Sequence, residues 1–122
     1  MRVIVTGSTL WTDEEALRRE LRKLPAGTIV IHGDSPGVDA FAGRIAREEL
    51  GLVVEPMVKN KDDYHRFGRG AWKGLNERML AAGADLVLAF HPEYGQPGKA
   101  LGTSHLVELA LAKGVEVRPF TA

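Results

Sequence analysis

Thr28 to Leu50 reads TIVIHGDSPGVDAFAGRIAREEL: an apolar run, a turn carrying Gly33, Asp34, Ser35 and Gly37, and then a helical pattern. The run Thr28, Ile29, Val30, Ile31 is β-branched throughout and too continuous for a strand with one wet face, which predicts a strand buried on both sides. Val38, Phe41, Ala42 and Ile45 then recur at the spacing of one helix face, while Arg44, Arg47 and Glu48 point elsewhere. Strand, turn and helix in that order leave the first amides of the helix without internal partners, aimed over the strand end. Such a place suits an anion, typically a phosphate. Asp39, just inside the first turn, stands where a carboxylate meets a ribose hydroxyl or a metal. The same residue types also serve plain turn geometry and capping, so the reading depends on what the other strand ends carry.

Working outward, Met1 to Thr6 (MRVIVT) predicts a first buried strand ending in Gly7. Ser8, Thr9, Leu10 and Trp11 lead from it to a helix whose start has a capping-box pattern, Thr12 and Glu15. Leu17, Leu21 and Leu24 give that helix one apolar face, and Pro25 and Gly27 end it. Gly51 closes the second helix, and Leu52 to Val58 predicts a third strand that Pro56 places near an edge. Lys59 to Arg69 (KNKDDYHRFGR) mixes charge and aromatic rings without a sustained period, and reads as a long loop containing one helical turn. Gly70 to Ala82 predicts a helix with Trp72, Leu75 and Met79 on its inner face, and Asp85 to Phe90 a fourth buried strand. A glycine-rich loop from His91 to Thr103 follows. Thr103 or Ser104 is expected to cap the last helix, which runs through Leu106, Val107, Ala110 and Leu111 to Gly114. Val115 to Phe120 completes the strands.

Strands alternating with helices predict an α/β fold, with a parallel sheet covered by helices on both faces. The expected architecture is a single doubly wound domain, residues 1–122, with five strands in the order 3-2-1-4-5. In that order the first and fourth strands are neighbours whose connections leave in opposite directions, which opens a crevice at their carboxyl ends. Gly7 to Trp11, Gly33 to Asp39 and Gly95 to Thr103 all converge there. Ser8, Thr9, Ser35 and Thr103 are hydroxyl donors for a phosphorylated ligand, alongside backbone amides. Trp11, Tyr64, Trp72 and Tyr94 are the rings available to stack on a base. Trp11, in a glycine loop, is the leading one, because Trp72 shares helical spacing with Leu75 and Met79 and reads as core.

Composition narrows the classes. The chain has 122 residues, enough for one core. Sixteen basic and sixteen acidic side chains cancel, so no global field draws it to nucleic acid or an anionic membrane. With no cysteine there is no thiolate catalysis and no cysteine-ligated zinc, as in a reducing interior, and the four histidines form no metal-spacing cluster. No apolar run approaches the roughly 20 residues of a membrane span, and Met1 leads straight into a strand without a signal pattern, so a cytoplasmic location is expected.

With these residues collected, the chain resembles the SLOG superfamily, and most of all its small YspA/YpsA-related bacterial and phage members. The features that carry the resemblance are VTGSTLWTD at Val5 to Asp13, HGDSPGVDAFA at His32 to Ala42, NERM at Asn76 to Met79 and GKALGT at Gly98 to Thr103. The superfamily is Rossmann-like and includes the cytokinin-activating phosphoribohydrolases and the DNA-processing protein DprA. The resemblance implies a nucleotide or nucleotide-derived ligand, with the glycine loops holding phosphate and ribose and no obligatory cofactor. It leaves open whether magnesium takes part. Helix-mediated homo-oligomers are common among relatives, so one is expected here. The phosphoribohydrolases carry a glutamate three residues after the threonine of their PGGxGTxxE motif. Here that position is Leu106, and Glu108 lies two residues further on another face. Their arginine corresponds to Arg78 or is replaced by Asn76, and Thr9 stands where many relatives have arginine after Gly-Ser.

The leading expectation is binding or sensing of a nucleotide derivative. Its candidate contacts are Gly7, Ser8, Thr9 and Trp11; Gly33, Asp34, Ser35, Gly37, Val38 and Asp39; Asn76; and Gly98, Gly102 and Thr103. One alternative is an N-glycosidic hydrolase of nucleoside monophosphates, with Asp39, Glu77 or Glu108 as its carboxylate and Arg78 beside it. Another is DprA-like binding of single-stranded nucleic acid, through Lys59, Lys61, Arg66, Arg69, Lys73 and Arg78 interleaved with Tyr64, Phe67 and Trp72.

Overall fold

The structure, a computed structural model, describes every residue from Met1 to Ala122. Five parallel strands form one sheet in the order β3-β2-β1-β4-β5. They are β1 (Arg2–Gly7), β2 (Ile29–His32), β3 (Val53–Pro56), β4 (Leu86–Phe90) and β5 (Glu116–Phe120). The helices are α1 (Glu14–Leu21), α2 (Val38–Arg44), α3 (Lys61–Phe67), α4 (Trp72–Ala81) and α5 (Leu101–Ala112). A wider π turn over Ile45–Glu49 prolongs α2.

The continuous apolar strands are explained by their alternation. Val3, Val5, Leu86 and Leu88 point to one face, where they meet Leu17 and Leu21 of α1 and Val38 and Ala42 of α2. Ile4, Ile31 and Val87 point to the other and meet Leu75 and Met79 of α4 and Leu106 and Ala110 of α5. This is the expected doubly wound α/β fold, and β3 is the expected edge strand, ending at Pro56.

Three local expectations are corrected. α1 is capped one residue later than the Thr12–Glu15 pattern suggests: Asp13 accepts from the Ala16 amide at 3.2 Å, while Glu15 pairs with Arg18. α5 begins before Thr103 or Ser104 can cap it, because Ala100 takes a left-handed φ of 52° and turns the chain directly into Leu101. Lys59 to Arg69 is mostly helix rather than loop. Asn60 and Asp63 close a reciprocal capping box at the start of α3, and Arg78 of α4 pairs with the Asp63 carboxylate.

Asp63 is 1% exposed, and any side chain at Gly74 would overlap it, so polar contacts rather than an apolar stripe dock α3 on α4. Hydrogen bonding to the Arg78 guanidinium outweighs burial and holds the Asp63 carboxyl below the usual carboxylate range. Its support is therefore present at neutral pH and is lost as pH falls through that lowered value. Asp63→Ala should cost about 2 kcal/mol in urea unfolding at pH 7, with a smaller loss for Asp63→Asn, which keeps an acceptor for the cap. Equal losses would show that the charge pair, not the cap, holds α3.

Candidate functional site

A crevice of about 410 Å³ lies over the carboxyl ends of β1, β2 and β4. Its floor is built by the ends of the strands themselves. The Ser8 amide donates to the Phe90 carbonyl at 2.9 Å, extending the β1–β4 pairing one step beyond Gly7. Gly7 is required at that step, since a Cβ there would overlap the Phe90 carbonyl and approach Val38 Cγ2 to 2.7 Å.

Of the expected contacts, the crevice brings together Gly7, Ser8 and Thr9 after β1 and Gly33, Asp34, Ser35 and Asp39 after β2. Asn76 from α4 and Gly102 and Thr103 from α5 join them. Gly37 and Val38 are not among its lining. The Val38 amide donates to the Ser8 carbonyl at 3.1 Å, so the loop after β1 occupies the start of α2. Gly37 allows this approach with φ 74°, and a Cβ there would come within 2.6 Å of the Thr9 carbonyl oxygen. The amides of Leu101, Gly102 and Thr103 in the first turn of α5, a helix of 12 residues, have no backbone partner, and these residues line the crevice.

Trp11 also lies outside the crevice. Its indole N–H donates to the Asp13 carbonyl at 2.7 Å, and its ring packs edge-on against Phe90 at 5.7 Å between centroids. The residue is 6% exposed, so it is core rather than a stacking face. Gly98 and Tyr94 line a separate depression of about 370 Å³ beside α5, together with Glu108. Tyr64 is exposed on α3, away from the crevice. Trp72, read from its spacing as core, is half-buried and lines the crevice.

The charged candidates separate in the same way. Glu77 pairs with Arg66 at 3.4 Å, and Arg78 donates to the Val58 carbonyl at 2.6 Å as well as to Asp63. Neither lines the crevice, and neither does Glu108. Of the six cations read as a nucleic-acid patch, Lys59, Arg66 and Arg78 are engaged by Asp34, Glu77 and Asp63. Lys61, Arg69 and Lys73 have no carboxylate partner among the ion pairs.

Asp39 is the candidate carboxyl that remains in the crevice, and it is 9% exposed. Burial is the main influence and raises it to about 7, helped by neighbouring Asp34 and opposed by the Ser35 amide and by Lys59. One of its oxygens accepts from the Ser35 amide at 3.3 Å. Gly33 gives it room, since a Cβ there would stand 2.9 Å from that same oxygen. Burial also works against ionisation of Asp34, but hydrogen bonds from the Lys59 ammonium and amide outweigh it and hold that carboxyl below its ordinary range. Burial lowers His91, whose Nδ1 accepts from the Glu93 amide at 3.1 Å, so the neutral ring carries its proton on Nε2.

Asn76 contributes by position. Its amide nitrogen donates to the Gly102 carbonyl and to His105 Nδ1, both at 3.1 Å, and so ties α4 to the first turn of α5. Lys59, Trp72, His91, Leu10 and Leu101 also line the crevice. For the two leucines the signal was available: each sits within a glycine-rich loop motif. Lys59 lacked one, because it joins the site through Asp34, 25 residues away.

No helix is long and apolar enough to cross a membrane. The model of the YspA, cpYpsA-related SLOG family matches residues 1–56, which span β1 to β3 and hence two of the three converging loops. A relative covers the remainder: Gene 61 protein of Mycobacterium phage D29 is 36% identical over 126 aligned residues, with 98% of this chain and 95% of that protein included. The match thus extends through α4, β4 and α5, which supply the other wall of the crevice. With the doubly wound sheet and the loop motifs on the same strands, the chain belongs to the YspA, cpYpsA-related SLOG family.

Proposed function

We propose that the crevice binds a nucleotide or nucleotide-derived ligand, with phosphate at the first turn of α5 and ribose over the ends of β1 and β2. The observation that carries this reading is a set of polar groups that face the crevice without protein partners, in residues otherwise largely buried. Thr6 and Thr103 are 9% and 4% exposed, and neither hydroxyl makes a side-chain hydrogen bond within the protein. No side-chain polar atom is both fully buried and unpaired, so these hydroxyls and the second oxygen of Asp39 open onto the crevice they line. Facing the crevice, they are free to donate to or accept from a bound ligand. The free amides of Leu101, Gly102 and Thr103, beside the Thr103 hydroxyl, suit an anionic oxygen. No arginine lines the crevice and its lysine is engaged by Asp34, which favours a ligand of low total charge.

A thermal-shift series with nucleoside monophosphates, nucleoside diphosphates, NAD and ADP-ribose tests this. A ligand at a hundred times its Kd should stabilise the protein by about 2.7 kcal/mol, on the order of 10 °C in Tm for a domain of this size. Thr103→Val keeps the shape of the side chain and should weaken the same ligand about tenfold while leaving the ligand-free Tm nearly unchanged. If no compound in the series raises Tm, the reading is wrong.

Asp39 supports a second reading, N-glycosidic hydrolysis. A buried carboxyl that titrates near 7 in a crevice is suited to proton transfer, either activating water for attack at the sugar carbon or protonating the departing base. Free base released from a nucleoside monophosphate by the wild type and not by Asp39→Asn would support hydrolysis. A ligand recovered intact would leave binding alone.

A further inference from the structure

We infer that Trp72 is the platform for the base of the bound nucleotide, and that it selects for ligands carrying an aromatic base over bare sugar phosphates. The inference rests on the nucleotide reading of the crevice. The crevice that holds these polar groups is also lined by exposed apolar side chains. Leu10, on the loop after β1, is 85% exposed, and Leu101, in the first turn of α5, is 61% exposed. Side chains this apolar are costly to hold in water, and both stand at one opening with the half-buried Trp72 ring. A ligand that is polar at one end and flat and apolar at the other meets both sets of groups. A nucleotide has this form.

The ring is also held in place before any ligand arrives. His105 packs edge-on against it, with centroids 5.5 Å apart and planes at 82°. His105 is fixed in turn by the Asn76 amide, which also grips the Gly102 carbonyl. Gly102 lies against the same indole: a Cβ there would sit 3.8 Å from Trp72 Cε3. The first turn of α5, where the phosphate is placed, is therefore in contact with the ring, and one nucleotide can reach both. Burial lowers His105, with Glu77 and Glu108 opposing that effect and Lys73 adding to it, and the Lys73 ammonium itself lies over the indole, 5.5 Å from its centroid. The other aromatic candidates are excluded by position. Trp11 is core, and neither Tyr64 nor Tyr94 lines the crevice.

The chain has two tryptophans that both emit, but Trp11 is buried against Phe90 outside the crevice, so quenching by contact with a ligand there acts on Trp72, and Trp72→Phe isolates the Trp11 emission. The experiment titrates AMP, GMP and ribose 5-phosphate into the wild type, Trp72→Phe and Trp72→Ala, following emission and measuring affinity by calorimetry. AMP and GMP should quench the wild type and ribose 5-phosphate should not. Trp72→Phe should keep AMP affinity within about threefold and lose the quench, because only Trp11 remains. Trp72→Ala should weaken AMP and GMP about tenfold or more and leave ribose 5-phosphate within about twofold. AMP binding without a change in Trp72 emission, or with equal losses for AMP and ribose 5-phosphate in Trp72→Ala, would overturn the platform and leave the nucleotide reading standing. AMP and GMP that fail to bind the wild type would overturn the platform as stated, and the nucleotide reading falls with it if nucleoside diphosphates, NAD and ADP-ribose fail as well.

Discussion

Asp39→Asn should make the protein more stable than the wild type at pH 8, and by much less at pH 4. Burial raises the Asp39 carboxyl to about 7 in the folded chain, whereas in the unfolded chain it titrates as an ordinary aspartate. Between those two values the folded state holds a proton that the unfolded state has released, so stability declines as pH rises through this window and is level above it. The full interval corresponds to about 4 kcal/mol, and water in the crevice reduces it, so a difference of about 2–4 kcal/mol is expected at pH 8. Asparagine keeps an acceptor for the Ser35 amide without the charge. Urea unfolding of both proteins at half-unit steps from pH 4 to pH 8 measures the effect. Parallel curves across the window would show that Asp39 is ionised throughout and remove the physical basis for its role in proton transfer.

Gly37→Ala should cost more than about 3 kcal/mol, enough to threaten folding of a small domain. Two penalties combine there. The backbone sits at φ 74° and ψ −125°, a region that side-chain-bearing residues scarcely enter. The added Cβ would also overlap the Ser8 and Thr9 carbonyl oxygens, which are held close because Ser8 accepts from the Val38 amide. Gly98 is the control: its φ is 73°, but a Cβ there meets nothing within 4 Å. Gly98→Ala should cost only about 1 kcal/mol, the strain alone. Similar Tm losses in the two variants would show that the loop after β1 gives way and that its seat on α2 is not fixed. Loss of ligand binding in a Gly37 variant would report on this seat rather than on a ligand contact.

The sheet could be read from the chain because strands buried on both faces leave an unambiguous mark. MRVIVT, TIVI and DLVLAF admit few alternatives, and right-handed crossovers then leave a short list of orders. α3 could not be read, because its stability does not come from an apolar stripe. It comes from the Asn60–Asp63 box and from Arg78, 15 residues further on. Trp11 and Trp72 exchanged roles for a related reason. A glycine loop suggests exposure, yet the Trp11 indole finds a carbonyl two residues away and a phenylalanine beneath it. Helical spacing with Leu75 and Met79 suggests core, yet both of those residues also line the crevice, since α4 leans over the strand ends. Spacing identifies the face of a helix and not what the face meets. The start of α2 shows the same limit. The turn predicts open amides there, and one of them, that of Val38, is taken by the Ser8 carbonyl, remote in sequence.

A nucleotide over the ends of β1, β2 and β4, with its phosphate at α5, should perturb the backbone amides around the crevice. An amide NMR titration of the labelled 13.3 kDa chain with AMP measures this. Saturable shifts are expected at Thr9, Gly33, Asp34, Leu101, Gly102 and Thr103, with α1 and β5 unmoved. Saturable shifts centred elsewhere, or none at millimolar AMP and none with ADP-ribose, would contradict this placement.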